Sequence, residues 1–246
     1  MGGENRGIGV NRLDPRPPSI DDSLRDVRRI IAVVSGKGGV GKSVISATAA
    51  LHLAKSGKRV GLLDLDFQSP CLHLILGARD EKPAEDRGLI PPAVSGVRLM
   101  SVVHFSGDMP LPLEGREVSD AFTEMLTVTR WGGLDLLIVD APPGIGDEFL
   151  DLVRLINRTE FLVITTPSPL AVKSAQKVVR VLRDSGSTLL GIISNMDDAG
   201  KPGDLGAPCL GSIPFDAELE ECIGRPERIL RTRFSRALNE ILKRIV

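Results

Sequence analysis

Tyrosine is absent from this 246-residue chain, tryptophan occurs once, and aromatic residues make up only 3% of it. Proteins that grip single-stranded nucleic acid stack its bases on aromatic rings, so that class of partner lacks its platform here. Cysteine is almost as scarce. Cys71, Cys209 and Cys222 form an odd set with no close pairing, which excludes a disulfide framework and points to a reducing cytoplasm. An excess of one charge is missing too: 31 Lys and Arg face 32 Asp and Glu, and a net charge of −1 exerts no long-range pull toward nucleic acid or anionic lipid. No apolar run approaches the roughly 18 residues that cross a bilayer. Met1 to Arg29 carries Gly, Pro and charge in place of the apolar core of a secretory leader. Neither nucleic acid nor membrane is therefore expected as a partner, and the cytoplasm is the expected location.

Hydrophobic residues, at 42%, suffice for one large α/β domain, and the length is short for two. Residues 1–26, with Pro15, Pro17 and Pro18 and little apolar content, are expected to form a flexible arm ahead of a single domain at 27–246. Ile30 to Val34 is a short β-branched apolar run ending in a glycine cluster, the pattern of a buried parallel strand feeding a loop. Similar runs predict strands near Arg59–Leu63, Val97–Val103, Leu134–Val139, Thr159–Thr165, Leu189–Ser194 and Cys209–Ile213. Helices are predicted between them, near Lys42–Ser56, Val118–Thr129, Glu148–Ile156, Leu170–Asp184 and Ile229–Ile245. This alternation implies a doubly wound α/β fold, a mostly parallel sheet with helices on both faces and ligands at the carboxyl ends of the strands. The Pro-rich, charged stretch Gly77 to Gly96 reads as a surface excursion.

Gly36-Lys37-Gly38-Gly39-Val40-Gly41-Lys42-Ser43 fits the pattern G-x-x-x-x-G-K-[ST], and it lies between a predicted strand and a predicted helix. In that setting successive backbone N–H groups and the helix N-terminus converge on phosphate oxygens, and glycines let the backbone approach the anion. The expected ligand is ATP with Mg²⁺. Lys42 would sit between the β- and γ-phosphates, and the Ser43 hydroxyl would ligate the metal. A buried strand tolerates an acid only where it emerges at the working edge. Asp140, ending Leu136 to Val139, is therefore the expected second metal residue, followed by a γ-phosphate-sensing loop from Ala141 to Glu148. Asp64-Leu65-Asp66 ends another strand. Hydrolysis at such sites rests on placing a water and neutralising charge, and Asp66 is the candidate that orients the water.

Lys37 stands where a generic phosphate loop has no fixed lysine. Lys37-Gly38-Gly39-Val40-Gly41-Lys42-Ser43 resembles the deviant Walker A of the MinD, ParA and Mrp group of dimeric ATPases. That resemblance implies a homodimer in which Lys37 reaches the phosphates bound by the opposite subunit, as an arginine finger would. Val27 to Lys37, Gly88-Leu89-Ile90-Pro91-Pro92, and Trp131-Gly132-Gly133-Leu134-Asp135 running into Asp140 to Glu148 are similar to the Mrp branch, the iron-sulfur carrier ATPases, over roughly Val27 to Ile223. By the same resemblance, Asn195 reads the adenine edge, with Pro214 and Asp216 near the base.

The chain departs from that branch in one telling place. Met196 to Pro208 lacks the C-x-x-C whose thiolates, two from each of two subunits, would hold a bridging cluster. Cys209 lies beside this loop, and a cysteine at the start of a strand is expected in the core. Ser69 replaces the usual glycine before Pro70, which stiffens the loop after Asp66. An Mrp-like ATPase acting with a protein client in iron-sulfur cluster assembly, cluster transfer or metalloprotein maturation is the first reading, with direct holding of a cluster in doubt. A MinD- or ParA-like positioning ATPase is the alternative, motivated by Phe234, Leu238, Ile241, Leu242 and Ile245 on a basic C-terminal helix. A regulatory ATP sensor with little turnover is the third.

Overall fold

A strand flanked by others and covered on both faces must be apolar throughout, and Ile30 to Val34 meets that demand. In the computed structural model, which describes residues 16–78, 80–106, 115–200 and 204–246, β1 (Ile30–Ser35) is buried at all six positions. Its neighbours are β7 (Leu136–Asp140) and β8 (Thr159–Thr165), both parallel to it. Beyond β7 lie β2 (Val60–Asp64) and β6 (Val97–Ser101), and beyond β8 lie β9 (Thr188–Asn195) and β10 (Cys209–Ile213), again all parallel. The short β5 (Ala93–Val94) closes one edge antiparallel, giving eight strands in the order β10-β9-β8-β1-β7-β2-β6-β5. The expected doubly wound α/β architecture is the observed one.

Helices cover both faces. Against one lie α2 (Lys42–Lys55), α3 (Leu72–Leu76), α8 (Pro226–Ile229) and α9 (Arg233–Leu242), whose apolar side chains share a core with Ile31, Val33 and Leu62. Against the other lie α1 (Arg16–Leu24), α5 (Arg116–Val128), α6 (Asp147–Leu155) and α7 (Pro169–Asp184), packed with Ala32, Val34 and Leu63. The short α4 (Val103–Ser106) follows β6. Within Gly77 to Gly96 the structure has only β5 and a two-stranded antiparallel pair, β3 (Ala84–Glu85) with β4 (Leu89–Ile90); residue 79 lies outside the described residues.

Two expectations are corrected. The flexible arm was placed at residues 1–26; residues 1–15 lie outside the described residues, but 16–24 form α1, and Ile20 and Leu24 are fully buried against α5. Of the prolines that argued for an arm, Pro17 and Pro18 fall in the first turn of α1, where a missing N–H costs nothing. The C-terminal helix is two helices, because Thr232 turns the chain and caps α9, its Oγ1 accepting the Ser235 amide at 3.1 Å. The apolar stripe of α9 is not a free face: Phe234, Leu238, Ile241 and Leu242 are buried on the sheet. Among the described residues no helix is long and apolar enough to cross a membrane.

Candidate functional site

The carboxyl ends of β1, β2, β7, β9 and β10 open onto one edge of the sheet, and Gly36 to Ser43, Asp66, Asp140, Asn195, Pro214 and Asp216 lie at those ends or directly after them. The glycine loop runs from β1 to α2. Gly41 caps α2 with φ 83°, a left-handed conformation, and a Cβ there would fall 2.3 Å from Asn195 Nδ2. At Gly36 a Cβ would lie 2.4 Å from the carbonyl of Ser174, so α7 packs directly on the start of the loop. Both are glycines because nothing larger fits.

Lys42, only 6% exposed, points its Nζ at Asp140 Oδ1, 2.9 Å away, and at Ser43 Oγ at 3.3 Å. Ser46 donates to the same Asp140 oxygen at 2.7 Å. The second oxygen, Asp140 Oδ2, is buried without a partner among the described residues. A fully buried carboxylate with one unused oxygen, next to a serine hydroxyl and a lysine, is an oxygen donor set that suits Mg²⁺, with Ser43 and Asp140 as the holders.

Asp64 belongs to this cluster although Asp66 was the candidate. The registers of β2 and β7 pair Asp64 directly with Asp140, about 4.8 Å apart across the sheet. Burial, reinforced by the Asp140 charge, pushes the Asp64 carboxyl up to about 7. Its oxygens accept the Asp66 amide at 3.2 Å, the Leu72 amide at 3.3 Å and the Ser101 hydroxyl at 3.3 Å. Asp66 instead closes a turn in its own loop, Oδ1 accepting the Ser69 amide at 3.0 Å. Cys71, half-buried, reaches the Ser43 hydroxyl, and burial pushes its thiol up. Lys37 is half-buried at the mouth of the loop and makes no ion pair with the described residues. The sensing loop is tied back to β1, with Gly144 N donating to Ser35 O at 2.8 Å and Ala141 N to Val33 O at 3.1 Å.

Beyond the glycine loop lies a cavity of about 170 Å³ lined by Gly41, Asn195, Met196, Pro214, Phe215 and Asp216 among others. Asn195 is 3% exposed, donates from Nδ2 to Val40 O at 2.8 Å, and leaves Oδ1 buried and unpartnered. The Val40 carbonyl thereby sets the amide so that an acceptor is left over. Asp216 lines the cavity, but both its oxygens are engaged, by the Glu218 amide at 3.2 Å and the Phe234 amide at 3.0 Å.

The cysteines do not assemble. Cys71 is half-buried, Cys222 buried, and Cys209 exposed rather than in the core, because β10 is the edge strand and Cys209 precedes a register shift in its pairing with β9. Among the described residues no three His, Cys, Asp or Glu side chains are placed to hold a metal ion. Sequence reasoning named the pair Asp64-Leu65-Asp66 but chose Asp66, although Asp64, like Asp140, is the last residue of its strand; it did not single out Met196 and Phe215, which line the cavity and carried no motif.

Glycine loop, buried lysine and carboxylate at adjoining strand ends define a P-loop NTPase of MinD/ParA-like fold. Comparison with known proteins narrows this. A family model described as NUBPL iron-transfer P-loop NTPase matches residues 26–204, and the chain belongs to that family. It is 35% identical over 226 residues to the iron-sulfur cluster carrier protein of Aquifex aeolicus, covering 83% of this chain and 62% of that one, and so spans less than two thirds of that relative. With the iron-sulfur cluster carrier protein of Methanocaldococcus jannaschii the identity is 32% over 259 residues, covering 95% and 89%. Among solved structures, the ADP complex of a nucleotide-binding protein from Archaeoglobus fulgidus superposes with a TM-score of 0.74 at 29% identity, over 87% of this chain and 92% of that one. The septum site-determining protein MinD of Pyrococcus horikoshii, complexed with Mg-ADP, superposes with a TM-score of 0.66 at 23% identity, over 88% and 95%, which speaks for the fold.

Proposed function

We propose that this chain is a Mg²⁺-dependent ATPase that works as a homodimer in iron-sulfur cluster assembly or transfer. The observation that carries the reading is the buried Lys42–Asp140 pair at the foot of the glycine loop, with Asp140 Oδ2 left without a partner. A buried ion pair costs desolvation and is retained where its members have work to do. Backbone N–H groups from Gly38 to Ser43 would take the phosphates, Lys42 would leave Asp140 for the β- and γ-oxygens, and Ser43 with Asp140 would hold the metal. Bound Mg²⁺ supplies charge neutralisation at the β- and γ-phosphates. Lys37, half-buried at the loop mouth and without an ion pair to the described residues, suits delivery to a second copy. Asp66 would place water only after its turn with Ser69 opens.

The family and the relatives named as cluster carriers support the cluster reading. The thiols here do not make a complete ligand set, so the cluster is cargo shared with a client or a second copy, to which exposed Cys209 contributes one thiolate per chain. Phosphate release with ATP and Mg²⁺ tests the enzyme: Lys42→Ala should abolish nucleotide binding, and hydrolysis by Lys42→Ala at the wild-type rate refutes the site. Anaerobic incubation with iron and sulfide tests the cargo, and a featureless visible spectrum both alone and with an acceptor apoprotein refutes that part.

A further inference from the structure

Hydroxyl and carboxylate oxygens suit Mg²⁺, and the foot of the glycine loop supplies both in Ser43 and Asp140. It also supplies a sulfur. Cys71 is half-buried, and its Sγ is hydrogen-bonded to the Ser43 hydroxyl, the group expected on the metal. The same hydroxyl lies 3.3 Å from Lys42 Nζ, which is 2.9 Å from Asp140 Oδ1. Thiol, hydroxyl, ammonium and carboxylate therefore form one chain of contacts.

The fold fixes Cys71 in that place. Asp64, the last residue of β2, accepts the amide of Leu72 at 3.3 Å and so holds the residue after Cys71 against the strand ends. On the other side α3 buries Leu72, Ile75 and Leu76 in the core. Cys71 occupies the N-cap of α3, where a Ser, Thr, Asp or Asn side chain would turn to a helix amide. Its thiol makes no capping bond and turns to Ser43 instead. A cysteine alone defines no site, and the independent sign of a ligand is Asp140 Oδ2, buried and without a partner among the described residues. Buried acceptors are satisfied as a rule, so a cation belongs on this oxygen. Among the described residues no three His, Cys, Asp or Glu side chains make a cage. Phosphate oxygens therefore complete the sphere that Ser43, Asp140 and Cys71 begin.

Resting on the nucleotide reading, we propose that Cys71 is a third protein donor at the metal-phosphate site, which takes the nucleotide as a complex of a thiophilic divalent cation of the zinc and cadmium class as well as of Mg²⁺. With Mg²⁺ the oxygens serve and the thiol keeps its proton. A thiophilic cation takes the sulfur as thiolate, and the thiol proton passes to solvent. Cys71 thus sets which ions compete for the nucleotide. A serine in its place would offer one more oxygen and no preference for a soft ion.

Cd²⁺ with ADP is the probe, in a Cys209→Ala parent that lacks the exposed thiol. Cd²⁺ should bring up an ultraviolet sulfur-to-metal charge-transfer band in this parent. Added Mg²⁺ should raise the Cd²⁺ midpoint in proportion to its own concentration, because the two ions compete for Ser43 and Asp140. Cys71→Ser should erase the band and weaken Cd²⁺ binding to the ADP complex by at least about tenfold in calorimetry, with Mg²⁺ affinity within about twofold of the parent. No band in the parent, a band that persists in Cys71→Ser, a midpoint indifferent to Mg²⁺, or equal loss of both ions in Cys71→Ser overturns the sulfur donor and leaves the nucleotide site standing. A parent that binds ADP with neither Mg²⁺ nor Cd²⁺ overturns the nucleotide reading and the sulfur donor with it.

Discussion

Two carboxylates at one register of adjacent buried strands cannot both carry full charge cheaply, and the molecule resolves the conflict at Asp64. Asp140 keeps Lys42 and Ser46 as partners, while among the described residues Asp64 has two amides and a hydroxyl. Its carboxyl, ordinarily near 3.8, is pushed to about 7. An acid raised in the folded state binds its proton more tightly folded than unfolded. Stability from this group is present below the unfolded value and is lost as pH rises from about 4 to about 7, by on the order of 4 kcal/mol, with no further loss above. Asp64→Asn should remove that slope. Urea unfolding at several pH values in EDTA, without nucleotide, checks it: the variant should gain on wild type as pH rises through this window. A difference constant with pH would contradict the assignment. Gly41 makes a second residue-scale case, because a Cβ there meets Asn195 Nδ2 at a backbone φ of 83°. Gly41→Ala should weaken ADP binding by about tenfold or more, since it strains the loop and displaces the Asn195 amide together. Calorimetry reads the loss directly.

At the scale of elements, α1 belongs to the core. Leu24 is 1% exposed in the cluster that also holds Phe122 and Leu126 of α5, and Ser23 Oγ donates to Leu126 O at 2.7 Å. Leu24→Ala should cost about 2–4 kcal/mol, the usual range for truncating a buried leucine, visible as a lower urea midpoint with an unchanged slope. A flexible arm would show no shift at all. Periodicity and β-branched runs made the seven longer strands legible, because a buried strand has no other way to be composed. What periodicity could not show was how helices start. Pro17 and Pro18 look like breakers until they are seen in a first turn, and the apolar stripe from Ile229 to Ile245 continues through Thr232, where the chain turns and a new cap forms. The glycine loop and Asp140 were legible because their chemistry demands specific residues at specific spacing. Asp64 was visible only as one of two acids at a strand end: what favours it over Asp66 is its register with Asp140, a relation that sequence spacing does not encode.

At the scale of the whole molecule, one copy offers a phosphate loop whose extra lysine has no ion pair with the described residues of its own chain. If Lys37 serves the opposite subunit, each complete site takes Lys42 from one chain and Lys37 from the other, as with a charge delivered in trans. Lys37→Ala alone and Lys42→Ala alone should then each lose ATP hydrolysis by at least about a hundredfold, because neither homodimer holds a complete site. An equimolar mixture has a different outcome. Half of its dimers pair the two variants, and in each of these the Lys37→Ala chain keeps its own Lys42 while its partner supplies Lys37. One site in two is whole, so the mixture should recover about a quarter of the wild-type rate per chain. A lysine acting within its own subunit predicts no recovery, since each chain lacks one of the two groups it needs. Wild-type specific activity should also rise with protein concentration and then level off as dimers saturate. A mixture that stays at the sum of its parts, with wild-type activity independent of concentration, would place the whole reaction inside one chain.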